Sequence, residues 1–367
     1  MPTAFTGVLN SNEIFASLYN MIISQQVYAD NIAGTYGKLV DSARVDGTLY
    51  GDTKLYYATD ALASYAWGND DEAENLLSLN RPKDPEIQKI TLDVFRQIRL
   101  TVDNYLSKRA WSDEGAFSNF QSVMMAWIND TKRIYDSTTY NVFIGTTVAT
   151  GAKQTIELPL AEIRSTSSGG QGLTGEEANR VEAETIAQGL ADLFVELSDV
   201  SRDYNDYGFI RSYNEEDLIV VWNSKFVNKI KKIDLPTIFH KDGLMEKFDE
   251  YTIPSRYFGV VNSSGGTTTS TNTTVRALHE GDWGGKHLFA GDLLPNSTAY
   301  TANTTYTVDD DVICKIMHKN SVPFMSAFEV GTSFFNPRSL TENHYLTWGH
   351  NTLDYLANYP FITVESD

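Results

Sequence analysis

The chain has 367 residues, 41% of them apolar, and a formal charge of −19. That acidic balance excludes a nucleic-acid-binding surface built from clustered Lys and Arg, which must displace counterions from phosphates. No run approaches the roughly 18 apolar residues of a membrane span. Cys314 is the only cysteine, so no disulfide forms within the chain, and folding in a reducing cytosol is expected. The opening MPTAFTGVLNSNE lacks the basic and apolar regions of a secretory signal, which also predicts a soluble protein made inside the cell.

Residues 1–12 are small and polar and read as an arm. From Glu13 to Ala33, Ile14, Leu18, Ile22 and Ile32, flanked by Phe15, Tyr19 and Tyr28, predict a helix that Gly34 can stop. TLYGDTKLYYA, residues 48–58, is rich in Tyr and Thr and reads as strand. An acidic stretch follows (Asn69, Asp70, Asp71, Glu72, Glu74), then Pro82 and Pro85. In IQKITLDVFRQIRLTVDNY, Ile90, Leu92, Val94, Ile98, Leu100 and Val102 occupy even positions, and polar residues hold the odd ones except at Phe95. A period of two held over about 13 residues predicts an unusually long strand with one apolar face. A lone extended hairpin cannot bury such a face, so packing on another molecule is expected. An ordinary strand within a large local sheet fits the same pattern.

A second strong helix is predicted over 112–136, capped by Ser112 or Asp113, with Phe117, Phe120, Met124, Trp127, Ile128, Ile134 and Tyr135 on one face. Residues 140–150 and 153–160 read as strands, and STSSGGQG, 165–172, as a flexible loop. Thr174 and Glu177 have capping-box spacing ahead of Ile186, Leu190, Leu193, Leu197 and Val200. DLIVVWN, 217–223, is short enough for a buried strand, and 224–233 follows as a short basic helix or turn. Residues 260–307 are rich in Thr, Ser, Asn and Gly and read as an inserted loop or β-rich flap. Residues 312–318, 323–335, HYLTWG and PFITV are strand-like, and no 20–50-residue repeat occurs.

Catalytic patterns are weak. Gly170, Gly172 and Gly175 match G-x-G-x-x-G, but a Ser-rich loop precedes them where a dinucleotide site has a buried strand. There is no Walker A sequence (GGKH at 284–287 lacks two of its elements), no H-E-x-x-H and no G-x-S-x-G. The histidines, His240, His279, His287, His318, His344 and His350, are scattered. His279 with Glu280 and Asp282, and the run Asp309, Asp310, Asp311, read as solvated turns in preference to metal sites. Cys314 sits in an apolar strand pattern, where an inert buried thiol is expected. The sequons at Asn262, Asn272, Asn296 and Asn303 follow from composition when no signal peptide precedes them. No catalytic residue, cofactor or metal is predicted, and the chain reads as structural, not enzymatic.

The order of elements, with EEDLIVVWN and TENHYLTWG carrying most of the likeness, resembles the major capsid proteins of tailed bacteriophages, whose Hong Kong 97-type fold encapsulins and herpesviruses share. The resemblance implies an α+β chain: N-terminal arm 1–40, extended β-hairpin loop 41–104, and a peripheral domain 105–165 with spine helix 112–136. An axial domain 166–310, carrying the insertion 260–307, and return strands 311–367 would complete it. It further implies hexamers and pentamers of an icosahedral shell enclosing double-stranded DNA without sequence-specific binding. Such a chain would be made in the bacterial cytoplasm and retained in the virion, with no membrane contact. Scaffolding and portal proteins would be partners, and the absence of a charged helical N-terminal scaffolding segment implies a separate scaffold or one already removed. In that arrangement the hairpin of one subunit lies over its neighbour's spine helix. Tyr56, Tyr57, Ile90, Leu92, Val94, Ile98, Leu100, Phe117 and Trp127 are then the expected inter-subunit contacts. Two other readings fit the residues: an encapsulin-like nanocompartment shell, and a soluble enzyme or binding protein of unrelated fold.

Overall fold

The computed structural model describes residues 37–47, 51, 53–64, 79, 81–103, 114–146, 154–164, 173–230, 249–262, 305–308 and 311–367. The expected 13–33 helix, the 165–172 loop and most of the 260–307 insertion lie outside them. In chain order the elements are α1 (Lys38–Ser42), β1 (Arg44–Asp46), β2 (Thr53–Ala58), β3 (Glu86–Asp103), α2 (Glu114–Thr146), β4 (Thr155–Leu158), α3 (Leu160–Arg164) and α4 (Gly175–Ser198). There follow β5 (Leu218–Asn223), α5 (Ser224–Ile230), β6 (Asp249–Ile253), β7 (Gly259–Asn262), β8 (Thr305–Val308), β9 (Val312–His318), β10 (Phe324–Asn336), β11 (Thr341–Asn351) and β12 (Phe361–Ser366). They form two compact units. The first holds the described parts of Met1–Asp52, Thr91–Tyr140 and Phe324–Asn351, and the second those of Thr53–Ile90, Asn141–Pro323 and Thr352–Asp367.

The first unit is built on the long strand that the alternating pattern predicts. β3 runs for 18 residues, roughly 60 Å of extended chain. Its residues from Leu92 to Asp103 pair antiparallel with β11, which pairs antiparallel with β10. β1 adds three parallel pairs, Arg44 to Phe324 through Asp46 to Ser326. The even face of β3 turns toward α2, where Ile98 and Leu100 pack with Tyr135 against Ile128, Leu346 and Trp348. Leu92 is wholly buried; burying a Leu side chain contributes about 2 kcal/mol. Phe95, an apolar residue at an odd position, lies on the opposite face, opposite Gly349, and stacks on Phe328 with ring centroids 5.9 Å apart. A Cβ at Gly349 would sit 2.7 Å from the Phe95 ring, so glycine makes room for it.

Much of the apolar face of residues 90–102 is therefore covered within the subunit: Ile90, Leu92 and Val102 are buried, and Ile98 and Leu100 pack on the cluster that includes Ile128 of α2. This is the ordinary-sheet alternative, and it applies to the half of the expected hairpin that follows Ile90.

In the second unit a sheet of order β4-β12-β9-β5-β6 packs against α4. Ala183, Ile186, Leu190, Leu193, Phe194 and Leu197 recur at helical spacing and meet Leu218, Val220, Trp222, Cys314, Ile316, Ile362 and Val364. β5 is buried at every position, which is why DLIVVWN reads as an unbroken apolar run. β7 and β8 form a separate two-stranded ribbon.

Three local expectations fail. The spine helix continues to Thr146, through the residues read as a strand from 140. Tyr140, Phe143 and Ile144 have strand-like composition, but their spacing of three and one completes a helical face on which all three are buried. Thr174 stands at the N-cap of α4 with extended backbone, yet its side chain makes no capping hydrogen bond. Val200 lies beyond the end of α4 and is exposed.

Candidate functional site

Within the second unit, the segment Thr53–Ile90 leaves and returns through a dense set of polar anchors. Asp60 Oδ1 accepts the Ile210 N–H at 3.0 Å and Oδ2 accepts Arg202 Nη1 at 2.8 Å. The Thr59 carbonyl accepts Arg211 Nη2 at 2.6 Å. On the return side, Gln88 Nε2 donates to the Tyr355 carbonyl at 2.8 Å and its Oε1 accepts the Ala357 N–H at 2.9 Å. Lys83 lies 5.1 Å above the buried Phe209 ring, a cation–π contact.

The receiving loop is rigid for local reasons. Ser201 and Arg211 exchange backbone hydrogen bonds of 3.0 Å. Asn205 donates to the Phe209 carbonyl and accepts the Phe209 N–H, each at 2.8 Å. Gly208 supplies the left-handed turn between them, at φ 62°. The Ile210 N–H and then the Arg202 guanidinium hold the Asp60 carboxyl down at about 2. Hydrogen bonds to the ionised form have that effect.

The same segment carries exposed apolar side chains. Tyr57 is 63% exposed, Leu62 78% and Leu79 81%, and Leu55 and Ile87 are exposed too. Val330, Phe334, Phe335 and Leu340, on β10 and the turn after it, form a second group in the first unit. The other exposed large apolar residues among those described are Val195 and Val200. Scattered exposed apolar residues are ordinary, but these fall in two groups, one on Thr53–Ile90 and one on β10 and the turn after it.

The residues expected as contacts separate into classes. Tyr57 is exposed and Tyr56 half-buried. Ile90 and Leu92 are buried inside the subunit, and a neighbour cannot reach them. Val94, Ile98 and Leu100 are half-buried, the last two on the Ile128–Leu346–Trp348 cluster. Trp127 is half-buried on α2, and the Phe117 side chain lies outside the described ones. Nothing in the sequence distinguishes Leu55, Leu62, Leu79 and Ile87 from apolar residues that a fold buries. For Val330, Phe334 and Phe335 a signal existed: the run VGTSFFN has strand composition and no charge.

The first unit also holds a polar relay under its sheet. The His350 Nδ1 lies 2.8 Å from the Asn351 carbonyl, which only accepts, so Nδ1 carries the proton. Nε2 then accepts from the Tyr135 hydroxyl at 3.1 Å, and that hydroxyl accepts Arg96 Nε–H at 3.1 Å. Burial pulls the His350 imidazole down to about 4. Nearby, buried Asp136 meets Arg44 at 3.1 Å and Lys132 at 3.8 Å, while Lys132 reaches Glu329 at 2.6 Å. Desolvation nonetheless raises the Asp136 carboxyl.

Cys314 is fully buried and its thiol is pushed up by burial. Among the described residues no three His, Cys, Asp or Glu side chains gather to hold a metal. His279, Glu280, Asp282, Asp309 and Asp310 lie outside them, and Asp311 is exposed. No described helix is long and apolar enough to cross a membrane.

A family model described as Phi29-like phage major capsid protein matches residues 7–362. Among solved structures, the capsid of Staphylococcus phage Andhra is similar with TM-score 0.64 and 9% identity, covering 90% of this chain and 84% of that one. A structure of the head fiber and inner core protein gp22 of native bacteriophage P68 gives TM-score 0.61 and 9% identity, covering 89% and 83%. The capsid of cyanophage P-SCSP1u gives 0.51 and 13%, covering 89% and 88%. At such identities the likeness is one of fold. No curated protein matches the sequence.

Proposed function

We infer the assembly of this chain from one premise: it belongs to the Phi29-like phage major capsid protein family and is a subunit of the phage head shell, a component of the virion. Its mixed helix-and-sheet architecture is the Hong Kong 97-like capsid fold. The nanocompartment and soluble-enzyme alternatives find no support in that membership.

In our reading the first unit is the peripheral domain, with α2 as its spine helix, and the second unit carries the axial domain. Hexamers and pentamers form around the axial domain. The segment Thr53–Ile90 is the working part of the extended loop and reaches a neighbouring subunit. The observation that carries this is the concentration of exposed Leu55, Tyr57, Leu62, Leu79 and Ile87 on that one segment, which polar anchors at Asp60 and Gln88 hold in place. Each contact is modest, and repetition around a closed shell supplies the stability. The acidic charge suits a wall that encloses double-stranded DNA without adhering to it. A scaffolding protein and a portal direct closure, the subunit is made in the host cytoplasm, and its role is structural, without catalysis.

The test is to express the chain with and without its scaffolding partner and image the products by negative-stain electron microscopy. Closed shells are expected for the wild type. Tyr57→Ser with Leu62→Ser should leave the free subunit's melting temperature unchanged and lower the shell yield. Shells of normal yield from that double variant would refute the role given to the loop.

A further inference from the structure

β10 changes character along its length. Phe324 and Met325 are buried, whereas residues 329 to 335 are exposed on both faces of the sheet. β1 covers its outer edge at Phe324, Met325 and Ser326 only. Beyond a register shift between Ser326 and Glu329, no strand among the described residues pairs with that edge.

An exposed edge presents unpaired N–H and C=O groups, and soluble proteins blunt such edges with Lys, Pro or inward charges. Residues 329–336, EVGTSFFN, contain one charge, Glu329, and no Lys, Arg or Pro. The edge is thus composed for pairing.

We propose that this edge pairs antiparallel with the same edge of a second copy, about a twofold axis through Thr332. This rests on the shell-subunit reading, which supplies identical copies at close quarters. The register follows from the side chains. Val330, Thr332 and Phe334 lie on the face away from α2, as their β11 partners Thr347, Tyr345 and Asn343 alternate with Leu346 and His344. Centring the axis on Thr332 sets Val330 opposite Phe334 twice, with Thr332 facing its own copy between them. Glu329 falls opposite Phe335, so no like charges meet. Centring on Ser333 would instead set Val330 against Asn336 and part the apolar pairs. An isologous contact of this kind closes on itself and consumes both edges, leaving none to propagate.

The axis makes a specific test. Thr332→Cys would place two thiols face to face, and Cys314 is too buried to compete. In assembled shells, mild oxidation should convert most of the chain to a covalent dimer on non-reducing gels. Gln97→Cys, exposed on the same face but on β3, should stay monomeric. In parallel, Thr332→Lys and Thr332→Glu should each lower shell yield roughly tenfold, since like charges oppose one another across the axis, and mixing the two subunits should restore it. Shells in which Thr332→Cys stays as monomeric as Gln97→Cys would overturn the proposal, whether the edge is bare or covered by another part of the chain. Normal yield from either charged variant, or loss that mixing does not repair, would overturn it too. A wild-type chain that forms no shells would strike the shell reading itself, which the imaging experiment judges separately.

Discussion

Asp60 accepts the backbone N–H of Ile210 at 3.0 Å, a bond that joins positions 150 residues apart. It fixes the chain after β2 to the 201–211 loop. The same carboxylate holds Arg202, so one side chain makes both contacts.

Asp60→Ala should therefore leave the α4 core intact and free the chain after β2. Amide exchange in residues 53–64 should speed up at least tenfold by mass spectrometry while residues 186–197 stay protected. The carboxyl titrates at about 2, below its ordinary 3.8. Its contribution is present above the ordinary value and is lost as pH falls through about 2. In the wild type the chain after β2 should loosen over that window, and in Asp60→Ala it should be loose at every pH.

His350 has a sensitivity of the same direction in a higher window of pH. Its native imidazole is neutral, with Nε2 accepting from Tyr135, and titrates at about 4 against an ordinary 6.5. The unfolded chain binds the proton first, so stability is full above 6.5 and declines as pH falls toward 4, by about 3 kcal/mol in all. Asp136, raised by burial, works in the other direction at the acid end. Urea unfolding followed from pH 7 to 4.5 should show the wild-type decline. His350→Gln should give a flatter profile, and an equal decline in the variant would contradict the assignment.

Ile98 separates core from contact. Ile98→Asp puts a carboxylate beside Ile128, Leu346 and Trp348. It should cost the free subunit about 3 kcal/mol. Any loss of shells should therefore come with a lowered melting temperature, unlike the loss expected from Tyr57→Ser with Leu62→Ser.

Gly145 sits where the last turn of α2 meets the backbone of Tyr257. A Cβ there would lie 1.9 Å from the Tyr257 carbonyl oxygen. Backbone cannot swing aside as a side chain does, so Gly145→Ala should destabilise by about 3 kcal/mol. At Gly349→Ala the nearest atoms belong to the Phe95 and Ala327 side chains, so it should cost less. Thermal melts of the two variants make the comparison.

Much of this architecture is legible in the sequence because one physical pattern dominates each stretch. Alternation in residues 90–102 gives β3, the 3–4 rhythm of Ile186, Leu190, Leu193 and Leu197 gives α4, and an unbroken apolar run gives β5. What covers each face is not legible. The even side of β3 has the same pattern whether its cover comes from its own subunit or a neighbour, so the sequence cannot tell that Ile90 and Leu92 are buried at home. Tyr140, Phe143 and Ile144 have strand propensity that burial on a helix overrides. Asp60, Gln88 and Arg211 are undistinguished in the sequence, since their partners lie more than a hundred residues away. Leu62 and Leu79 gain meaning only when the structure leaves them in solvent.

The central claim is that the exposed apolar side chains of the extended loop and of β10 are covered when subunits assemble. Hydroxyl-radical footprinting of free subunits against closed shells measures this directly. Tyr57, Leu62, Phe334 and Phe335 should each lose most of their reactivity on assembly, while buried Leu92 and Phe143 stay unreactive in both states. Shells in which Tyr57 and Phe334 remain as reactive as in the free subunit would contradict the account.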